Sequence, residues 1–207
     1  MRQLGMALLV AAAGCAASTC PLWGRGEGRA DAEALAGTRA APALEARFGG
    51  VVRDPAAETR MARVGRPLLE AAGVAPRHGR YRLLAAGEPN AVSLPLARVY
   101  ITQGLYARLR DDAMLAAVIA HEAAHLARKD HFKARCRQDR EALRREMDAD
   151  RYAVRLLARA GYKTEAMIAA VRLISDQQPP SWTRTRIAAL EESTALPHGL
   201  TTPCLAR

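Results

Sequence analysis

Aromatic side chains make up only 4% of this 207-residue chain, and lysine is scarcer still: Lys129, Lys133 and Lys163 are the only ones among 31 basic residues. The first shortage removes the stacking platforms that single-stranded nucleic acid needs. Negative charge is short too, with 21 acidic residues and a formal net charge of +10. Yet Arg is scattered from Arg2 to Arg207 with no run of five basic residues. No phosphate-binding face is marked, and a nucleic-acid partner is not expected. A basic surface does suit anionic lipid, through charges that salt screens. No apolar run reaches the roughly 20 residues of a membrane span, and no Cys has a CxxC partner, which argues against a cysteine zinc site. What remains, 50% hydrophobic and 25% charged, is the composition of one globular domain with a sizeable core.

Met1-Arg2-Gln3 followed by the apolar run Leu4 to Ala13 has the layout of a secretory signal, and residues 1–20 are expected to direct export to the periplasm. Two processing sites fit. Ala12-Ala13-Gly14-Cys15 resembles a bacterial lipobox, slightly the better reading, in which Cys15 is lipidated and ties the chain to the envelope membrane. The other is ordinary cleavage after Ala17. Cys20, Cys136 and Cys204 remain, so with Cys15 lipidated at most one disulfide forms, and its pair is open.

Residues 21–45, rich in Gly, Ala and Arg, show no apolar period and read as a flexible linker. The folded domain is expected over 46–194, with a solvated tail over 195–207. A helix is expected from about Ala57 to Ala72, stopped by Gly73. Extended segments follow at Tyr81 to Ala86, Ala91 to Leu94 and Arg98 to Thr102. Helices then take over: about Asp111 to Phe132, Arg137 to Ala160, Thr164 to Ser175 and Trp182 to Ser193. A few strands and then helices argue a mainly helical α+β fold with a small sheet.

The chemistry is concentrated in His121-Glu122-Ala123-Ala124-His125. Histidines four apart lie within about 40° on one helix face, one turn apart, so both imidazoles can reach one tetrahedral ion. Glu122 sits beside them as a general base. Leu115, Val118, Ile119 and Leu126 form an apolar stripe, and Glu122 and His125 fall inside it, so these groups point at the core and must be satisfied there. Zinc needs a third protein ligand. His131 has the spacing of the third metzincin histidine, but Arg128 stands where that motif breaks its helix with Gly. In a continuing helix His131 points about 120° away from His125. The rival is Glu146. With Asp150 it lies inside the apolar arc of Leu143, Met147, Val154 and Leu157 on the next helix. One turn apart, the pair suits a ligand, Glu146, and an acceptor, Asp150, that takes the remaining N–H of a ligand histidine.

HExxH followed about twenty residues later by ExxAD resembles the gluzincin metallopeptidases, and more closely the M48 family with its Ste24- and HtpX-like members. Phe48-Gly49-Gly50, and Asn90-Ala91-Val92-Ser93-Leu94-Pro95 with Val99 to Leu105, resemble further family blocks; the likeness spans roughly residues 46–192. It implies a zinc-dependent peptidase of the compact exported branch acting on polypeptides, with one Zn²⁺ per chain and Asn90 and Ala91 holding substrate backbone along a strand edge. Three departures are visible. Leu96-Ala97 replaces the Gly-Gly after Leu-Pro, so the tight turn there is expected to be built differently. Gln178 replaces a His that steadies the oxyanion, leaving Gln178, Arg184 and Arg186 as candidates for that task. The transmembrane helices of many relatives are absent after residue 20. Envelope proteins, misfolded or misassembled, are the expected substrates. The alternative is a catalytically weak or inactive metal-binding chaperone or assembly factor of the envelope, against which the intact Glu122 speaks. Oligomeric state is not written in the sequence.

Overall fold

Four short strands pair in the order β1-β2-β4-β3, with β2 and β4 parallel and the outer pairs antiparallel. The computed structural model describes residues 28–75, 80–130, 139–174 and 179–195. Along them run α1 (Gly28–Arg47), β1 (Val51–Val52), α2 (Pro55–Ala71), β2 (Arg80–Leu84), β3 (Ala91–Leu94), β4 (Arg98–Thr102), α3 (Gln103–Tyr106), α4 (Asp112–Arg128), α5 (Asp139–Arg159), α6 (Ala166–Ile174) and α7 (Pro180–Ala195). The fold is mainly helical α+β, as the order of elements implied. The segment 1–20 expected to be a signal, with Cys15, together with Cys20, His131, Cys136, Gln178, Cys204 and the tail beyond Ala195, lies outside the described residues. Among the described residues no helix is long and apolar enough to cross a membrane.

Alternation along the strands divides the interior in two. Tyr81, Leu83, Ala91, Val99 and Ile101 join the main core with α2, α4, α5 and α6. Their neighbours Leu84, Leu94 and Tyr100 face the other way, onto Ala41 with Ala40, Leu44 and Phe48 beside it. The linker expected over 21–45 is therefore corrected within the described residues: helix α1 covers the outer face of the sheet. Its apolar face, Gly37, Ala40, Ala41, Leu44 and Phe48, has helical spacing but is built largely of small residues, so bulk hydropathy hides it. Polar ties make up the difference. Arg98 donates to the Gly37 carbonyl at 2.9 Å and to Thr38 Oγ1 at 3.2 Å, and Tyr100 donates to Glu45 at 3.0 Å. Gly37 is the point of closest approach, since a Cβ there would lie 2.8 Å from the Pro95 carbonyl oxygen.

Helix α4 is buried on nearly every side, beyond the single stripe expected of it. Ala116, Ala117, Ala120, Ala123 and Ala124 are all at 0% exposure, and their small size lets α2, α5, α6 and β3 close around it. It starts where Asp111 accepts from the Met114 N–H at 2.8 Å, satisfying one of the orphan donors of the first turn. Arg60 and Arg63 of α2 both reach Asp112 in that turn, at 2.8 and 2.7 Å. The helix does not continue to Phe132. It stops at Arg128, with Lys129 in the left-handed region at φ 56°.

The β3–β4 turn answers the expectation that Leu96-Ala97 must build it differently. Both residues adopt positive φ, 68° and 55°, the conformation glycines would supply, at a cost of about 1 kcal/mol or more for each L-residue. Leu96→Gly is expected to stabilise the fold by roughly 0.5–1 kcal/mol, read as a rise in the midpoint of urea unfolding. A lower midpoint would mean that the Leu96 side chain contributes more in packing than its backbone costs.

Candidate metal centre

His121, His125 and Glu146 meet where α5 crosses α4, with one ligand atom from each lying within 4.8 Å of the others. The two Nε2 atoms are 3.1 Å apart, and Glu146 places Oε2 3.4 Å from His121 Nε2 and Oε1 3.6 Å from His125 Nε2. The sequence pattern dictates this convergence: the i, i+4 spacing aims both rings off one face of α4, and Glu146 sits in the apolar arc of α5 that packs against it. Ligands held tetrahedrally at about 2.0–2.1 Å lie roughly 3.3–3.4 Å from one another. The separations of 3.1, 3.4 and 3.6 Å, the last two to different oxygens of Glu146, lie near that edge, and two imidazoles with one carboxylate are a donor set suited to Zn²⁺.

Behind each ring stands a carboxylate. His121 Nδ1 lies 2.9 Å from Asp150 Oδ1, and His125 Nδ1 lies 3.0 Å from Asp130 Oδ2. An ionised carboxylate only accepts, so His125 Nδ1 carries its hydrogen toward Asp130, while His121 Nδ1 stands at ion-pair distance from Asp150, and both Nε2 atoms are turned toward the shared point. Asp150 thus stands where the sequence placed it, beside a ligand histidine. Asp130 is a residue the sequence reading missed. A helix running through to Phe132 would carry Asp130 away from the site, whereas the left-handed Lys129 folds it back. His131 lies outside the described residues. With the helix ending at Arg128, helical continuity no longer argues against it, and the position of Glu146 takes over that argument.

Arg186, expected as a candidate oxyanion stabiliser, is instead fully buried, at 0% exposure. Its Nε and one terminal nitrogen donate to Asp150 at 2.7 and 2.8 Å, and the other terminal nitrogen is 3.5 Å from Glu146. A guanidinium held by its fork behind the carboxylates positions them and is committed away from substrate. Arg184, two residues earlier on α7, is exposed.

Charge compensation sets the protonation of the cluster. Burial lowers the His121 pKa, but Asp150 and Glu146 outweigh it and lift it to about 10. Burial pushes Glu146 and Asp150 upward, but His125, His121 and Arg186 pull Glu146, and Arg186 and His121 pull Asp150, below the usual carboxylate range. Asp130 follows the same pattern: burial raises it, while His125 and Arg128 bring it down to about 2. Glu122 is buried on the same helix, and its backbone carbonyl accepts from Ser93 Oγ at 3.2 Å, which ties α4 to β3. Asn90 bonds Thr102 through both main-chain groups: its N–H donates to Thr102 Oγ1 and its carbonyl accepts from the Thr102 N–H, each at 2.9 Å.

Two comparisons bear on this geometry. The family model of Peptidase family M48 matches residues 55–144, a stretch that holds both histidines, Glu122 and Asp130 but ends before Glu146 and Asp150. No curated protein matches the chain. With His121 raised to about 10, zinc must displace a proton to bind at neutral pH. Apparent zinc affinity is therefore expected to rise by about tenfold per pH unit between pH 6 and 8. Chelator competition measures it, and a flat profile would mean that the ligands are already proton-free.

Proposed function

We propose that this chain, whose residues 55–144 match the model of Peptidase family M48, is a zinc endopeptidase in which His121, His125 and Glu146 hold the metal. The meeting of these three residues carries the reading. A zinc ion held there would supply Lewis-acid polarisation of a scissile carbonyl and would make a nearby water acidic enough to give up a proton near neutral pH. The protein supplies the rest. Glu122, next to His121 but on a different bearing around α4, accepts the water proton and delivers it to the leaving amine. Asp150 and Asp130 keep the rings in one tautomer, and Arg186 keeps Asp150 and Glu146 ionised.

The substrate backbone docks along β3, an edge strand of the sheet. Because Asn90 pairs with Thr102 and hydrogen-bonded pairs alternate along an antiparallel ladder, the main-chain groups of Ala91 and Ser93 face the outer edge. Of the two residues expected to hold substrate, Ala91 keeps that role, and Asn90 fixes the strand to β4. Strand addition binds backbone and not side chains. That suits unfolded segments, and misfolded or misassembled envelope proteins are the substrate class we assign.

Glu122→Gln keeps the shape of the helix and removes the base. The variant is expected to retain one zinc per chain by elemental analysis while casein cleavage falls by at least 10³-fold. Full cleavage by it would sink the mechanism. A wild-type chain that binds zinc without cleaving casein would favour the metal-binding chaperone. Export through residues 1–20 and lipidation at Cys15 complete the proposal, on the strength of the apolar run Leu4 to Ala13 and the Gly14-Cys15 pair. Cys15→Ser is expected to move the protein from the membrane fraction to the soluble periplasmic fraction. An unchanged distribution would point to cleavage after Ala17 or to adhesion by charge alone.

A further inference from the structure

His121 and His125 are not equally confined. His121 is 4% exposed and stands against Asp150 of α5, whereas His125 is 14% exposed and stands at the rim. A rim imidazole has room to turn about its χ2, and a turned ring withdraws Nε2 from the shared point. We infer that Asp130, gripped by Arg128, is a positioning residue that holds the His125 ring in its metal-binding orientation. This rests on the zinc reading above and adds to it a residue pair and a backbone device.

The geometry is specific. In a continuing helix the residue five beyond His125 would stand about 140° around the axis and roughly 7.5 Å further along it, out of reach. Lys129, at φ 56°, ends the helix with its N–H on the His125 and Leu126 carbonyls and folds the chain back. Asp130 Oδ2 then meets both His125 Nδ1, at 3.0 Å, and Arg128 Nε, at 3.1 Å. Asp130 itself is 5% exposed, so its carboxylate is shielded from competing water. Arg128 extends its other end to Asp148 Oδ2 on α5, at 3.1 Å. The ring, carboxylate and guanidinium in series repeat the arrangement of His121, Asp150 and Arg186 on the closed side of the centre.

A purely structural account is available: Arg128 bridges the two helices through Asp148, and Asp130 only steadies that bridge. The two accounts separate by substitution in the full chain. Asp130→Asn leaves the volume unchanged and removes the charge that holds the Nδ1 hydrogen. Zinc affinity, measured by competition with a chelating fluorophore, is expected to fall 10- to 100-fold, while the melting temperature of the metal-free protein stays close to that of wild type. Asp148→Asn breaks the bridge and spares the ring, so its zinc affinity is expected to be unchanged. Lys129→Gly fits the left-handed turn and is expected to bind as wild type does; Lys129→Val strains the turn and is expected to behave like Asp130→Asn. Equal affinity in Asp130→Asn and wild type overturns the inference. So does an affinity loss shared by Asp148→Asn, or one matched by a fall in metal-free melting temperature. A wild-type chain that takes up no zinc overturns the metal reading itself.

Discussion

Buried charge must be neutralised where it lies, and in this protein that requirement fixes how three helices meet. Arg186 on α7 is sealed from solvent and bonded through two nitrogens to Asp150, itself 2% exposed. Removing either partner would leave a buried charge uncompensated, at about 3–5 kcal/mol. Helix α7 can therefore dock only where α5 presents Asp150 and Glu146. Helix α5 can bury those carboxylates only where α4 supplies imidazoles on one side and α7 a guanidinium on the other. The apolar core alone would tolerate small slides and rotations of the helices. The ionic centre selects one packing, and the alanines of α4 allow its neighbours to come close enough to adopt it.

The central pattern was legible in the sequence because it broke a local rule. Two histidines on an inward face, and two carboxylates in the apolar arc of another helix, are misplaced unless they meet, and they do meet. The parts that were not legible failed for physical reasons. Helix α1 escaped notice because Gly37, Ala40 and Ala41 carry too little apolar surface to register as a stripe, although their spacing is helical. The reading of α4 ran past Arg128 because no glycine or proline marks its end. A lysine in the left-handed conformation leaves no compositional trace, and with the wrong helix end Asp130 was out of reach. β1 is two residues long, and only its partner strand defines it. At the β3–β4 turn Leu96 and Ala97 take positive φ, the conformation glycine favours, where the substitution suggested a turn built differently.

The excess of arginine, scattered along the whole chain, takes on a particular meaning at two positions. Arg186 and Arg128 each stand behind a carboxylate that stands behind a histidine. Both use more than one nitrogen of the planar fork, a geometry an ammonium group cannot copy. Composition cannot distinguish these two from the many solvated ones; only burial and partner do.

Exposure also gives the centre a direction. His121, Asp150 and Arg186 form a closed wall, at 4%, 2% and 0% side-chain exposure, while His125 and Glu146 are each 14% exposed and Arg128 is 30% exposed. Any molecule that reaches the Nε2 atoms approaches from the side of His125. The bond from Ser93 Oγ to the Glu122 carbonyl ties strand β3 to the same helix. In the proposed mechanism an extended chain laid on that strand is therefore delivered to the open side of the centre, where the ring least confined by packing must keep its orientation as substrate enters. The closed wall gains its rigidity from burial. The open wall has to obtain the same rigidity while still admitting a polypeptide, which packing alone cannot give it, and a carboxylate held from the solvent side by an arginine meets both demands.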